Sequence, residues 1–599
     1  MAAIGTSEPS GARGVFHLAR TLRLVWRITP GWTAVNGLLA VVLGVLPLAG
    51  LYLMKLIIDD VTQGTTFEEA GVLIALAAGV VLLTVFARSL SATASQALSL
   101  NVTDYMNDLI HAKSLAVDLE YYENAAYYDV LSRAQKEAPF RPTSIVNGLI
   151  TTATSVVMLV GSVALLMRLN WVIALIVFAA AIPGALVRVR FSGRLFRWQR
   201  DRTTTERRTW YLHTLMTDGA RAKEIRLFDL GDVFTGWYNE LRTVLRGEQL
   251  SITRRRSAAD FGTAAVATLA VFAVFTYIVR QAILGVIGIG SMVMYYQALQ
   301  MGLSSLQTTL AGMAGLYEDN LFVGYFYEFM ALEPKVVDPD EPQPMPRPLS
   351  SGIVFDDISF AYPDSERTAI EGVSLTIRPG EIAALVGSNG SGKTTLVKLL
   401  CRLYDPSHGS ITVDGVDLRD LRVADLRGSM SVIFQDFTQY QMTARQNIWV
   451  GDVSSDADDA AVEQAAAKAG VEAVIAGLPH GYETMLGKLF EEGEELSVGE
   501  WQKIALARAF MRDAEVIVLD EPTSALDPAS EWSVFERIRE MAEGRAVILV
   551  SHRFSTVRTA DRIHILDHGR IAESGSHDEL MALGGAYSAM YEIQARGFK

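Results

Sequence analysis

The sequence predicts an α-helical six-span membrane domain followed by an α/β domain that carries a phosphate-binding loop. Half of the 599 residues are hydrophobic and the mean hydropathy is +0.23, which is high for a soluble enzyme. Six apolar stretches of spanning length lie in the first part of the chain. In the second part, apolar runs alternate with helical stretches, and this alternation is typical of a largely parallel sheet.

The bulk composition limits the classes of function. The formal net charge of −14 argues against nucleic acid as a partner. Cys401 is the only cysteine, which excludes an intramolecular disulfide and a cysteine-based zinc cluster. Its place on the helix after the phosphate-binding loop predicts a small core residue rather than a redox group.

Composition divides the chain into four segments. Residues 1–29 form a cytoplasmic segment in which Gly14–Ile28 alternates basic and apolar residues, as in an amphipathic helix on the inner membrane surface. Residues 30–332 form the membrane domain with cytoplasmic helical extensions. Residues 333–350 are proline-rich and polar, which predicts an extended linker. Residues 351–599 form the α/β domain.

The membrane domain is predicted to cross the bilayer six times, with both ends inside. The arginine-rich segment from Arg188 to Arg256 is placed inside, whereas Asp59–Glu69, with four acidic residues and no Lys or Arg, is placed outside. The intracellular segments are too long for simple loops, so we expect helices that project well beyond the bilayer. The predicted spans are Trp32–Ile58, Ala70–Leu100, Ile145–Met167, Trp171–Val187, Phe261–Ile283 and Ser291–Leu316.

A strand, a glycine-rich loop and a helix are predicted over residues 381–400. Gly387–Thr394 fits the pattern G-x-x-x-x-G-K-[ST], in which successive backbone N–H groups point at phosphate oxygens. Lys393 is predicted to reach the β- and γ-phosphates, and the Thr394 hydroxyl to hold Mg²⁺. The chain is therefore predicted to bind a nucleoside triphosphate through Gly387, Ser388, Asn389, Gly390, Ser391, Gly392, Lys393, Thr394 and Thr395.

Polar side chains follow three further predicted strands, at the sheet edge where catalytic groups gather. Asp520 is predicted to hold the metal, and Glu521 to orient or deprotonate the attacking water. His552 is predicted to contact the γ-phosphate, and Gln435 to contact the metal and the water. The apolar strands are predicted at Ile382–Val386, Met430–Phe434, Val516–Leu519 and Ala546–Val550.

Ser497 and Glu500 fit the S-x-x-E pattern of a capping box before a helical run at Trp501–Met511. A capped helix N-terminus beside Gly499 also presents N–H groups to a phosphate. The structural role as a helix cap and the role as a phosphate contact are compatible.

The second domain resembles the nucleotide-binding domain of ATP-binding cassette (ABC) transporters, and six spans before one cassette resemble a half-transporter of the exporter type. The motifs follow one another in the order that the family has. The matching residues are Tyr362 as the adenine-stacking aromatic, Gly387–Thr394 as Walker A, Gln435 as the Q-loop, Leu496–Glu500 as the signature, Asp520 as the Walker B aspartate, Glu521 as the catalytic glutamate, Ser524–Asp527 as the D-loop and His552 as the switch histidine.

This resemblance implies a Mg²⁺-dependent ATPase that drives transport by alternating access. Each ATP, with Mg²⁺ at Thr394, Gln435 and Asp520, would lie between Walker A of one cassette and Ser497 and Gly499 of a second chain. We expect a homodimer with two equivalent sites, and a heterodimer with one weakened site is the alternative. Within the family, coupling helices are expected in Asn124–Arg133 and Ala222–Val233.

Two departures from the family pattern affect these expectations. Val498 and Glu500 stand where the signature usually has glycine and glutamine, so we expect ATP turnover to survive but to be slowed. The resemblance implies that Leu489–Glu495 is the exporter X-loop, which contacts the membrane domain, and Phe490 stands where this loop has a glycine.

The cargo is predicted from resemblance alone. Phe434–Phe437 and Glu500–Phe510 are similar to segments of bacterial exporters of modified peptides such as lantibiotics. A peptide cargo and a bacterial inner membrane, with membrane lipids around the spans, are therefore favoured. Export or flipping of lipids or hydrophobic drugs is the main alternative, and an ATP-gated channel or an importer shares the same architecture.

Overall fold

The computed structural model describes residues 11–64, 67–124, 127, 130–131, 134–135, 139–363, 365, 367–454 and 459–597. Two compact units share the chain. The first consists of the chain up to Ala116 together with Tyr128–Leu332, and the second consists of Val117–Tyr127 together with Glu333–Lys599. The second unit thus takes in a short segment from within the helical half of the chain.

Long helices dominate the chain before the first strand. Within the described residues these are α1 (Gly11–Ile28), α2 (Pro30–Gln63), α3 (Phe67–Ala116), α4 (Leu119–Glu123), α5 (Arg141–Leu169), α6 (Trp171–Asp201), α7 (Thr203–Thr217), α8 (Ala222–Leu227), α9 (Gly231–Ile283) and α10 (Ile289–Met330), with a short 3₁₀ turn at Gly219–Arg221. The amphipathic helix predicted at Gly14–Ile28 is confirmed as part of α1.

Each predicted span lies within one long helix. At 1.5 Å per residue, the 50 residues of α3 extend about 75 Å and the 53 residues of α9 about 80 Å, against roughly 30 Å of hydrocarbon. These lengths are what the expected projection of helices beyond the bilayer requires, and the projection itself stays a prediction. Within the described residues, four helices are long and apolar enough to cross a membrane, in α2, α3, α5 and α9. The other two predicted spans lie in α6 and α10, so the count of six stays a prediction.

Close helix packing holds the first unit together. The strongest contacts are between α5 and α10 and between α2 and α3. A Cβ added at Gly161 would lie 2.0 Å from Leu48 Cδ1, so a larger residue would force the Leu48 side chain to move where α2 and α5 approach each other. The Asp59 carboxylate of α2 accepts the Gly290 N–H at 3.0 Å, and this bond ties the end of α2 to the start of α10.

Two sheets form the core of the second unit. Its described strands are β1 (Ile353–Ala361), β2 (Thr368–Ile377), β3 (Ile382–Gly387), β4 (His408–Val413), β5 (Val416–Asp417), β6 (Met430–Ile433), β7 (Val516–Asp520), β8 (Ala546–Val550), β9 (Arg562–Asp567) and β10 (Arg570–Gly575). A four-stranded antiparallel sheet has the order β2-β1-β4-β5, and a six-stranded sheet has the order β10-β9-β3-β8-β7-β6. The antiparallel sheet is not among the elements predicted from the sequence.

The predicted parallel sheet is confirmed in the larger of the two. β6, β7, β8, β3 and β9 are parallel neighbours, and only β10 joins them antiparallel. Every residue of β7 and of β8 is buried, which explains why these strands read as continuous apolar runs. Cys401 is a buried core residue as predicted, and burial raises the pKa of its thiol to about 12.

Helices cover the two sheets of the second unit. The described ones are α11 (Lys393–Leu400), α12 (Val423–Gly428), α13 (Ala444–Trp449), α14 (Asp459–Ala469), α15 (Glu472–Ala476), α16 (Val498–Phe510), α17 (Pro528–Met541), α18 (Phe554–Val557), α19 (His577–Leu583) and α20 (Ala586–Gly597), with 3₁₀ turns at Leu418–Asp420 and Gly481–Glu483. The predicted helix at Trp501–Met511 corresponds to α16.

The predicted linker is irregular and hydrogen-bonded to the strands and helices that follow it. The Gln343 N–H donates to the Asp420 carbonyl at 2.8 Å, and the Leu349 N–H donates to the Glu515 carboxylate at 3.2 Å. Lys335 forms an ion pair with Glu120 of α4 at 2.7 Å. The segment therefore belongs with the second unit.

Glu123, at the end of α4, also contacts this unit. Its two carboxylate oxygens accept hydrogen bonds from Lys398 Nζ at 2.6 Å and from the Tyr404 hydroxyl at 2.5 Å. Burial by itself would lower the pKa of Lys398, but the hydrogen bond to Glu123 raises it above the usual value. Of the coupling helix expected in Asn124–Arg133, six residues lie outside the described part of the chain, so that expectation stays a prediction. α8 supplies the helix expected within Ala222–Val233.

We predict that acid destabilises the second unit through His564. The side chain is 3 % exposed, and burial lowers the pKa of the imidazole to about 4. Because the unfolded chain titrates near 6.5, it binds the extra proton first, and stability falls as the pH drops from about 6.5 towards 4. The expected loss between pH 7 and pH 5 is about 2 kcal/mol.

Thermal unfolding of the full chain in nanodiscs at pH 7 and pH 5 measures this effect. His564→Asn should show a smaller drop in melting temperature than the unmodified chain, and the exposed His480→Asn should behave like the unmodified chain. An equal drop in His564→Asn would assign the acid sensitivity to other groups.

Candidate functional site

The predicted phosphate-binding loop joins β3 to α11. Gly390 has φ +78° and Gly392 has φ +110°, a region that favours glycine. A Cβ at Gly392 would also lie 2.5 Å from Ile370 Cδ1 and 2.9 Å from the Ala369 carbonyl. The loop can therefore curl tightly only with glycine at these positions, and the curl brings backbone N–H groups to the N-terminus of α11.

Lys393 is the buried cation of this loop. Its side chain is buried, and Nζ donates to the carbonyls of Gly387 and Ser388 at 2.9 and 3.0 Å. Burial lowers the pKa of Lys393, and the carboxylates of Asp520 and Glu521 oppose that shift. The ammonium group is thus held over the loop with two acids beside it.

Thr394 and Asp520 place two oxygen ligands together. The Thr394 hydroxyl donates to the Asp520 carboxylate at 3.1 Å. Asp520 ends β7 and is 2 % exposed, and burial raises the pKa of its carboxyl group. A hydroxyl and a carboxylate oxygen suit Mg²⁺, which is commonly bound by one or two protein groups together with phosphates. The residues present therefore fit a magnesium ion.

Glu521 is held from two sides by the side chains of Gln435 and His552. Gln435 Nε2 donates to Glu521 Oε2 at 3.1 Å, and His552 Nδ1 lies 2.9 Å from Glu521 Oε1. The Glu521 backbone has φ +53°, and its N–H donates to the Val550 carbonyl at 2.9 Å. These contacts fix both the backbone and the carboxylate just past the end of β7.

Tyr362 stands at the other end of the candidate site. Its ring makes edge contacts with Phe360 and Tyr404 at centroid distances of 5.0 and 5.5 Å. Its hydroxyl lies 3.1 Å from the Thr395 hydroxyl at the start of α11. An aromatic face near the loop is suited to stacking on a nucleobase.

A cleft of ≈ 440 Å³ brings most of these groups together. Ser365 and Arg367, which sequence reasoning missed, also line it. They follow Tyr362 closely in the chain, so their nearness to that residue is the only signal that could have found them. The predicted residues in its lining are Tyr362, Asn389, Gly390, Gly392, Lys393, Thr394, Thr395, Gln435, Asp520 and Glu521.

Three predicted loop residues lie beside the cleft rather than in its lining. Gly387 and Ser388 supply the carbonyls that accept from Lys393. Ser391 is 2 % exposed, and its hydroxyl has no hydrogen-bond partner among the described residues. A buried, unpaired hydroxyl in the loop is consistent with a ligand that brings its own hydrogen-bonding groups.

The predicted capping box at the signature segment is confirmed. The Glu500 carboxylate accepts the Ser497 N–H at 2.7 Å, and the Ser497 hydroxyl accepts the Glu500 N–H at 3.3 Å. Glu500 thus replaces the family's glutamine without loss of the cap. Gly499 approaches the D-loop, because an added Cβ there would lie 2.9 Å from the Ala525 carbonyl. Ser497 and Gly499 are absent from the cleft lining within the described part of this chain.

Sequence reasoning also missed the groups that hold the segment after Glu521. Gln502 of α16 is 2 % exposed; its amide donates to the Glu521 carbonyl at 3.1 Å and accepts the Ala525 N–H at 2.9 Å. Arg553, next to His552, donates to the Ser524 carbonyl at 2.7 Å and to the carboxylate of Glu531 at 2.8 Å. Gln502 thus ties the D-loop to the end of β7, and Arg553 ties it to the end of β8.

The sequence is similar to one protein family and to individual proteins of known kind. The family model described as ABC transporter matches residues 370–524. A subtilin transport ATP-binding protein of Bacillus subtilis is 29% identical over 559 residues, 93% of this chain and 90% of that protein. An ATP-dependent lipid A-core flippase of Burkholderia thailandensis is 30% identical over 609 residues, 98% of each chain.

The fold agrees with these relatives. The solved structure of a bacterial Atm1-family ABC exporter with ATP bound superposes with a TM-score of 0.81, at 22% identity, over 94% of this chain and 98% of that one. Similarity that extends over almost the whole length includes the apolar helices as well as the cassette. This multi-pass membrane protein therefore belongs to the ABC transporter family, as an ATP-driven half-transporter of the exporter type.

Proposed function

We propose that the chain exports a peptide across a bacterial inner membrane, as a dimer that hydrolyses ATP at the interface between two cassettes. The observation that supports ATP hydrolysis is that Gln435 and His552 both contact the Glu521 carboxylate, beside the loop that holds Lys393. The observation that supports the peptide is the similarity to the subtilin transport protein over nine-tenths of both chains.

In this proposal Glu521 acts as the general base. Its carboxylate would take a proton from the water that attacks the γ-phosphate, and general bases of this kind contribute about 10²- to 10⁴-fold in rate. Gln435 contacts one oxygen of this carboxylate and His552 contacts the other, which fixes the orientation of the group. The same two side chains would orient the water and contact the γ-phosphate, respectively, as the family resemblance implies.

The phosphates and the metal would occupy the other side of the cleft. Lys393 would exchange its two carbonyl partners for β- and γ-phosphate oxygens, with the N–H groups of Gly387–Thr395 around them. Mg²⁺ would be held by Thr394, Asp520 and Gln435, and when bound it neutralises charge on the phosphates. Tyr362 would stack on the adenine.

Ser497 and Gly499 would complete the site on a second chain. They lie at the N-terminus of α16, where the helix dipole favours an anion. Since Glu521 and His552 are both present, two equivalent sites in a homodimer are the default. A heterodimer is the alternative, because the signature carries Val498, whose side chain is 63 % exposed at the place where a partner cassette would approach.

Lipid export is the second candidate cargo function. The lipid A-core flippase of Burkholderia thailandensis is as similar to this chain in identity as the subtilin transport protein and is matched over 98% of its length. The two candidates share the ATPase chemistry and differ in what the membrane helices bind.

We predict that Glu521→Gln abolishes most hydrolysis while ATP binding persists. Glutamine keeps the shape of the side chain but cannot take the proton, so phosphate release should fall roughly 10²- to 10³-fold. Nucleotide binding to the purified protein and phosphate release are the two measurements. The exposed Glu540→Gln on α17 is the matched control and should leave both unchanged; near-normal turnover in Glu521→Gln would place the base elsewhere.

Lys393→Ala should weaken ATP binding itself. Removing a charged donor to phosphate costs about 1.5–3 kcal/mol, which corresponds to roughly a 10- to 100-fold loss of affinity. Titration with a fluorescent ATP analogue measures the dissociation constant, and Lys468→Ala on α14 serves as control. An unchanged dissociation constant would argue that Lys393 does not meet the phosphates.

Cargo class can be read from stimulated ATPase activity of the chain in nanodiscs. We expect subtilin to raise the rate of ATP hydrolysis and hydrophobic dyes to leave this rate near the basal level. A cargo raises the rate because it binds more tightly to the conformation that goes on to hydrolyse ATP. Glu521→Gln controls for contaminating ATPases. Stimulation by lipids or hydrophobic drugs alone would replace the peptide by the lipid candidate.

A further inference from the structure

A small polar cavity lies among three helices of the first unit. Its volume is ≈ 170 Å³, and its lining includes Arg188 of α6, Asp260 of α9 and Gln307 of α10. Gly184 and Thr263 also border it. None of these residues belongs to the ATP site, and the function proposed above assigns no role to them.

The cavity lies at the predicted inner boundary of the membrane. Arg188 directly follows the predicted span Trp171–Val187, and Asp260 directly precedes the predicted span Phe261–Ile283. Gln307 lies in the inner half of the last predicted span, which runs inward along α10. Charged side chains near hydrocarbon are costly unless they face a partner or a polar cavity, and at this depth they often mark a pathway.

The two charges face one cavity without neutralising each other. Arg188 Nη1 donates to the Gln307 carbonyl at 3.3 Å, and the Asp260 carboxylate forms an ion pair with Arg256 Nε at 3.5 Å, one turn earlier on α9. Among the described residues Arg188 and Asp260 form no ion pair with each other. A guanidinium has five N–H donors and a carboxylate has four acceptor positions. Arg188 can therefore donate a further hydrogen bond, and Asp260 can accept one.

We propose that this cavity is a cargo subsite that holds one cationic group of a peptide against Asp260 while Arg188 donates to a carbonyl or carboxylate of the same peptide. This inference rests on the proposed peptide export. The volume is below the roughly 300–1,000 Å³ typical of pockets for whole small molecules, so it suits one side chain or chain end rather than a complete cargo. A phosphate-bearing lipid headgroup would be attracted by Arg188 but repelled by Asp260.

Gly184 keeps the cavity open. A Cβ added there would lie 3.6 Å from Thr263 Oγ1, an ordinary van der Waals contact, and alanine therefore fits. A leucine at the same position would extend into the cavity. Gly184→Leu therefore tests occupancy by filling the space, with Gly184→Ala as its matched control.

The main experiment measures ATPase stimulation of the full chain in phosphatidylcholine nanodiscs by two synthetic peptides of equal length. One carries lysines and the other carries acetyl-lysines at the same positions. Asp260→Asn should raise the half-maximal concentration of the lysine peptide about tenfold and leave that of the acetyl-lysine peptide unchanged. Glu240→Gln, an exposed acid on the same helix, should shift neither.

Arg188→Gln and Gly184→Leu should weaken the response to the lysine peptide as well, whereas Arg190→Gln and Gly184→Ala should not. Equal curves for Asp260→Asn and the unmodified chain would overturn the subsite while leaving peptide export intact. If phosphatidic acid in the nanodisc stimulates and no peptide does, peptide export itself fails, and Asp260→Asn should then strengthen the lipid response.

A labelling measurement gives an answer independent of stimulation. Because Cys401 is the only cysteine and is buried, a thiol introduced by Thr263→Cys is the one expected to react with a charged methanethiosulfonate reagent. The lysine peptide should slow this labelling several-fold, and the acetyl-lysine peptide should slow it less. Labelling that neither peptide slows would place peptide binding elsewhere.

Discussion

The chemistry of the second unit depends on one constraint, the fixed order of three adjacent parallel strands. β8, β7 and β6 are neighbours in the sheet, and His552, Glu521 and Gln435 follow them just past their ends. Parallel neighbours lie about 4.8 Å apart, so side chains one or two residues beyond the strand ends can meet. Glu521 receives a partner from each side because its strand is the middle one.

Burial is what makes this arrangement rigid. All residues of β7 and β8 are buried, and the Glu521 N–H donates to the last residue of β8, which fixes the left-handed turn at Glu521. A carboxylate on a mobile loop would lose the two-sided contact that defines its orientation. Gln502 and Arg553 extend the same order to the D-loop, where they hold the chain on either side of Ser524.

The parts predictable from sequence are those that one segment decides alone. A strand buried on both faces is a continuous apolar run, and a capping box needs only Ser497 and Glu500, so both were found. The antiparallel sheet was missed because β1 and β2 mix buried and exposed residues, so neither is a continuous apolar run, and because β1 pairs with the distant β4, where Ile353 lies opposite Val413. The links from Arg553 to Glu531 and Ser524 span more than 20 residues, and no local pattern announces them.

The limit of prediction from one segment also applies to the membrane helices. Length and hydropathy locate the apolar helices, but the cavity beside Arg188 exists only because particular faces of α6, α9 and α10 meet. The cavity lies between Arg188 and Asp260, which do not pair with each other. This arrangement can be seen only when the positions of all three helices are known. In the second unit, Lys398 and Tyr404 each contact both the Glu123 carboxylate and the ring of Tyr362. The segment after α3 is therefore fixed to the aromatic end of the nucleotide cleft. A ligand shifts a conformational equilibrium only through unequal affinity for the two states, and contacts shared between a cleft and a distant segment are where such inequality can arise.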